Sequence, residues 1–292
     1  MSATAGPDFI CVGMPKAGTG WLFDQLQFHP DFWMPPVKEL HYLDREFPKV
    51  ESARKILDRA RHAPKRLTKR LSRTRPWDER DLQFLEQIVS YGGERMDIER
   101  YAALFRYKGT LKVGDITPGY GALRDDVVAL VAKHLPNLRV ILLVRDPVAR
   151  AWSHICHLYR RDNFNARLLT DPVKFGAFLS KSNSLSKLSF ATHVASRWSK
   201  FAPDVSFRYF FFDDLAGRPD EARRDILTYL GADPLKPSGA IAPDHNRKSS
   251  ASKLPLNDDI KAVLVEHFRE ELLAGSALFG GHAANWPASY GV

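Results

Sequence analysis

FICVGMPKAGTGWLFDQLQF, residues 9–28, is the stretch that decides the fold. Residues 9–13 form a short apolar run stopped by Met14-Pro15, the pattern of a strand buried on both faces. Residues 16–20 are glycine-rich and read as a turn. From Trp21 to Phe28 the apolar residues Leu22 and Leu26 recur at helical spacing, until His29-Pro30 ends the run. Strand, glycine turn and helix thus follow one another without a break.

The alternation continues outward. Residues 139–144 are a continuous β-branched and leucine run, as in a central parallel strand, and it stops at Arg145. Asp146 suits a helix N-cap and Pro147 the first helical position, so a helix is predicted to about residue 161. Further strands are predicted over 111–114 and 206–212, and helices over 127–134, 192–200, 221–230 and 258–273. Residues 162–186 read as irregular and 234–255 as a long loop. Residues 48–100 read as a helical insert. Between Arg59 and Arg75 it holds eight Lys or Arg and no acid, with a short basic helix expected between Pro64 and Pro76. No internal repeat or linker divides the chain. The expectation is a single α/β domain over 1–292, with a central parallel β-sheet flanked by helices.

Composition agrees. With 292 residues, 26% charged and 44% hydrophobic, the chain is neither disordered nor fibrous. Lys plus Arg is 43 against 34 acids, a net charge of +9, which favours anionic partners. No recognised nucleic-acid-binding motif accompanies that charge, so nucleic acid is not expected. No apolar stretch approaches the roughly 20 residues that span a bilayer. The opening MSATAGPDFICVGM lacks the basic start of a signal peptide. Cys11 and Cys156 cannot build a disulfide framework or a zinc site by themselves. A cytoplasmic protein is expected.

The turn from Gly13 to Gly20 invites comparison with the Walker pattern G-x-x-x-x-G-K-[ST]. Both glycines align. Thr19 stands where the lysine belongs, Gly20 replaces the hydroxyl residue that would hold magnesium, and Lys16 sits three residues earlier. What survives is a set of backbone N–H groups at a helix N-terminus with one lysine for charge. A sulfuryl group carries less negative charge than a phosphoryl group and needs no bridging metal, so the loop suits a phosphosulfate better than a triphosphate. The plain alternative is a tight turn that happens to contain lysine.

Residues 15–22, Pro-Lys-Ala-Gly-Thr-Gly-Trp-Leu, closely resemble the P-loop-like 5′-phosphosulfate turn of sulfotransferases that use 3′-phosphoadenosine 5′-phosphosulfate (PAPS). Those enzymes bind the 3′-phosphate with an arginine at a strand end and a serine eight residues later, the spacing of Arg145 and Ser153 here. Residues 38–44, Lys-Glu-Leu-His-Tyr-Leu-Asp, look like the K-E-x-H-[FY]-[FLY]-D segment of heparan-type and bacterial carbohydrate sulfotransferases. Residues 115–120 resemble their E-x-[ST]-P-x-Y turn with Asp115 for Glu, and residues 212–215 their Y-E-D-L element with Phe-Asp for Tyr-Glu. The likeness covers most of residues 9–292 but does not inform the insert.

The resemblance implies a bacterial, metal-free transferase that moves a sulfuryl group from PAPS to a carbohydrate or glycolipid hydroxyl, leaving 3′-phosphoadenosine 5′-phosphate (PAP). It implies Glu39 as general base, with His41 orienting it or standing in for it. Lys16 would stabilise the leaving 5′-phosphate, with contacts from Ala17, Gly18, Thr19, Gly20 and Trp21. Arg145 and Ser153 would bind the 3′-phosphate, and Arg247 with Lys248 would add a late basic loop. The basic segment 59–75 reads as a solvated helix face, a clamp for an anionic acceptor, or a contact with the inner membrane surface. A P-loop-type small-molecule kinase and an inactive glycan- or membrane-binding module are the rival readings.

Overall fold

The computed structural model describes residues 6–44, 50–62, 75–92, 97–182, 185, 188–201, 205–237, 241–245 and 254–292. Four strands form one parallel sheet: β1 (Phe9–Gly13), β2 (Gly114–Ile116), β3 (Arg139–Val144) and β4 (Ser206–Phe211), in the order β2-β1-β3-β4. Every residue of β1 is buried, as its unbroken apolar run requires. The chain leaves β1 for β2 on one side and later returns for β3 on the other. A topological switch point therefore lies between the carboxyl ends of β1 and β3, the place where open α/β sheets hold ligands.

The helix after the glycine turn spans Thr19–Gln27 and the one after β3 spans Pro147–Tyr159. Asp146 caps the latter, accepting from the N–H groups of Val148 at 2.8 Å and Ala149 at 3.2 Å, with Pro147 in the first turn. Within the stretch read as an insert, helices Val50–His62 and Glu79–Ser90 pack on each other, and Phe84, Leu85 and Ile88 sink into the common core. Residues 63–74, and with them the expected helix between Pro64 and Pro76, lie outside the described residues. No helix among the described residues is long and apolar enough to cross a membrane.

Three expectations are corrected. The second strand is Gly114–Ile116, not 111–114. It carries glycine and aspartate, both poor strand formers, and is fixed by pairing: a Cβ on Gly114 would come within 2.3 Å of the Phe9 ring on β1. Residues 162–186 are not irregular throughout, since Pro172–Lys181 is a helix capped by Asp171 with Phe175 and Leu179 buried. The closing helix is two, Asp258–His267 and Arg269–Phe279, broken at Phe268, whose side chain is fully buried.

Candidate active site

The glycine turn is built for close approach. Gly18 caps the helix Thr19–Gln27 with φ 102°, and a Cβ there would lie 2.6 Å from Leu215. Lys16 takes φ 71° inside the turn. From the end of β3, the Arg145 guanidinium reaches across the switch point and donates to the Lys16 carbonyl at 2.7 Å. It also lies 4.1 Å from the centroid of the Phe212 ring just beyond β4. Burial holds its pKa below the ordinary arginine range. Two elements 129 residues apart in sequence are thereby joined at one crevice.

The crevice is electropositive. Arg150, fully buried one turn beyond Arg145, has its pKa pushed down to about 9 by burial and by the Arg145 charge. Burial, with Arg150, Lys16 and His157 nearby, pushes His154 down to about 3, so its ring stays neutral. Ser153 stands half-buried beside His154 on the same helix, about two turns from Arg145. Thr19 and Ala17 are buried in the turn, while the Trp21 indole N–H donates to the Pro243 carbonyl at 2.6 Å and Gln25 to Ala242 at 3.0 Å. These bonds fasten residues 242–243 onto the helix behind the turn. Arg247 and Lys248 lie outside the described residues.

Residues 39–44 form the second half of the site. Glu39 and His41 both adopt left-handed backbone, φ 58° and 53°, while Leu40 and Tyr42 between and after them are buried. Among the described residues five non-glycine residues have positive φ, and three of them are Lys16, Glu39 and His41. Each such conformation costs on the order of 1–3 kcal/mol and persists only where the surroundings enforce it. Here they do. Asp115 of β2, fully buried, accepts from Thr117 at 2.7 Å, Tyr120 at 2.6 Å and Tyr101 at 3.2 Å. The Tyr120 hydroxyl in turn accepts from the N–H groups of Tyr42 at 3.1 Å and Leu43 at 3.4 Å. Burial raises the Asp115 pKa against these bonds.

His41 Nδ1 is 2.7 Å from Asp44 Oδ2, and its Nε2 is 3.8 Å from Glu39 Oε2. With Nδ1–H donated to Asp44, the imidazole presents Nε2 toward the Glu39 carboxylate. Gly119 lies against this pair: a Cβ there would be 2.6 Å from Asp44 Oδ2 and 2.9 Å from His41 Cε1. Sequence reasoning assigned no role to Asp44, Gly119 or Tyr120, although all three sit inside the segments it singled out. It also passed over Lys38, whose ammonium lies 5.7 Å from the Phe23 ring and 3.8 Å from where a Cβ on Gly20 would be.

Comparison with known proteins bears on the family and the fold. A family model described as Sulfotransferase family matches residues 7–236. Among solved structures, the chain is similar to a sulfotransferase from Alicyclobacillus acidocaldarius, with a TM-score of 0.64 and 19% identity over 97% of this chain and 99% of that one. It is also similar to the sulfotransferase domain of the Synechococcus PCC 7002 olefin synthase, with a TM-score of 0.50 and 18% identity over 92% and 97% of the two chains. A search of curated proteins finds no match. A P-loop-like turn and a strand-end arginine meeting at the switch point of a parallel sheet, together with the match over residues 7–236, show that the chain belongs to the sulfotransferase family.

Proposed function

We propose that the chain transfers a sulfuryl group from PAPS to a hydroxyl of a carbohydrate or glycolipid acceptor. The observation that carries this reading is the bond from Arg145 Nη1 to the Lys16 carbonyl, which unites the two anion-binding elements. The residues fit a donor with phosphates at both ends: the cations Lys16, Arg145 and Arg150 gather near the switch point, close enough for Arg145 to depress the pKa of Arg150 and for Arg150 and Lys16 to depress that of His154. The donor supplies an activated sulfuryl group. Lys16 and the backbone of Ala17, Gly18, Thr19, Gly20 and Trp21 would hold its phosphosulfate end, and Arg145 with Ser153 its 3′-phosphate. Lys38 adds an ammonium beside Gly20, where a Walker turn would carry its metal-binding hydroxyl.

Glu39 takes the proton of the acceptor hydroxyl, and His41, held by Asp44 with its Nε2 3.8 Å from Glu39 Oε2, steadies that carboxylate when its ring is protonated on both nitrogens. The carbohydrate class of acceptor rests on the likeness of residues 38–44 to carbohydrate sulfotransferases. Calorimetric titration with PAP, 5′-AMP and ATP, with and without Mg²⁺, tests the donor. Metal-independent binding that requires the 3′-phosphate is the expected result. Preference for ATP with Mg²⁺ would instead indicate a kinase, and no binding a glycan- or membrane-binding module. Glu39→Gln should remove most sulfuryl transfer and leave PAP affinity intact, and transfer near the wild-type rate would take the base role from Glu39.

A further inference from the structure

We infer that Tyr290, near the carboxyl end of the chain, is a positioning residue for Arg145 and thereby sets the selectivity for a 3′-phosphorylated nucleotide. The inference rests on the reading of Arg145 given above. It concerns a part of the chain beyond residues 7–236, the span matched by the family model.

The two carboxylate oxygens of Asp146 do different work. Oδ1 caps the helix Pro147–Tyr159 through Val148 and Ala149. Oδ2 accepts the Tyr290 hydroxyl, at 2.5 Å. An N-cap carboxylate bound on one oxygen retains freedom to swing about its side-chain torsions. Held on both, it fixes the peptide between Arg145 and Asp146, and so the root from which the guanidinium reaches Lys16 and the Phe212 ring.

The closing segment is built to deliver this hydroxyl. Helix Trp286–Tyr290 is anchored by Trp286, which is buried edge-on to Phe211 and packs so closely on Gly275 that a Cβ there would come within 2.9 Å of its ring. His282 Nε2 lies 2.9 Å from Asp214 Oδ1, and the Lys261 ammonium lies 5.5 Å from the Tyr290 ring centroid. Phe211, Phe212 and Asp214 lie at and just after the end of β4, so one element holds the segment and stacks on Arg145. The segment 282–290 is therefore fastened both to the end of β4 and to Asp146, the residue next to Arg145.

The test compares PAP with 5′-AMP by calorimetry on the full chain, as wild type, Tyr290→Phe and Tyr290→Leu. Both variants lose the hydroxyl, and Phe keeps the ring over Lys261. The expected result is PAP affinity about tenfold weaker in both variants with 5′-AMP affinity unchanged, a loss confined to the 3′-phosphate. A merely structural tyrosine would weaken both ligands together and lower Tm. An unchanged ratio of the two affinities, or a parallel loss of both, overturns the assignment of Tyr290. A wild type that binds both ligands equally would instead overturn the reading of Arg145, and the role of Tyr290 with it.

Discussion

Arg145 and Lys16 meet through a side chain and a main chain: the guanidinium Nη1 donates to the Lys16 carbonyl at 2.7 Å. The arginine thus holds the shape of the glycine turn as well as carrying the charge proposed for the 3′-phosphate. Lysine cannot reproduce this, because it lacks the planar fork that bonds to a carbonyl and stacks on Phe212 at once. Arg145→Lys is expected to weaken PAP binding about 10- to 100-fold, a larger loss than one exposed phosphate contact accounts for. Titration alongside amide exchange over residues 16–19 checks it. Weakened binding with unchanged exchange would separate the two roles and refute the structural one.

Gly119 offers a cleaner probe of the proposed proton-transfer half. Alanine there would place a methyl 2.6 Å from Asp44 Oδ2 and 2.9 Å from His41 Cε1, closer than real contacts allow, so the His41–Asp44 pair must shift. Gly119→Ala is expected to lower kcat at least about tenfold, the usual scale for displacing an acid–base group, and to leave PAP affinity within error. A normal kcat would mean that the pair does not steady Glu39.

Tyr120 ties β2 to the backbone of residues 42–43. Phenylalanine would remove three bonds at once: the donation to Asp115, and the acceptance from Tyr42 and Leu43. The buried Asp115 carboxylate, already raised by desolvation, would lose a donor and rise further. Tyr120→Phe should cost about 1–3 kcal/mol of stability, the usual range for a buried polar group left short of a partner. The left-handed backbone of Glu39 and His41 should relax with it, so kcat falls while PAP affinity holds. Denaturant unfolding and steady-state kinetics on one preparation test both parts. Lost stability with unchanged kcat would make the network structural only.

What was legible in the sequence was the part with strong local signals. The apolar runs of β1 and β3, the Asp146-Pro147 start and the glycine turn each declare themselves within a few residues, and β3 matches its expected bounds of 139–144. β2 did not, because Gly114 and Asp115 are chosen by their neighbours, the Phe9 ring and the tyrosine hydroxyls of residues 101 and 120. The helix Pro172–Lys181 was hidden by Gly176 and by flanking irregular chain, although Asp171-Pro172 repeats the Asp146-Pro147 signal and would have revealed it. Tyr290 was beyond reach: its partner is 144 residues away, and only the tertiary fold brings them together.

Glu271 makes a prediction about stability that is independent of the site. It is buried in the helix Arg269–Phe279 and accepts from both the N–H and the hydroxyl of Thr192, at the start of the helix Ala191–Ser199. Despite those donors, burial raises its pKa from 4.5 to about 7. The folded state therefore holds a proton that the unfolded chain releases above its own lower pKa. The stability this contributes is fully present below pH 4.5 and is lost as pH rises through about 7. At roughly 1.4 kcal/mol per pH unit the loss is about 3 kcal/mol. Glu271→Gln keeps the shape of the protonated side chain and has nothing to ionise. The difference in unfolding free energy between variant and wild type should be smallest near pH 4 and should grow in favour of the variant through pH 7, levelling off above it. Urea unfolding at half-unit steps of pH measures it. A difference that stays constant across that range would mean that Glu271 is ionised in the folded protein throughout, with its two Thr192 bonds outweighing burial.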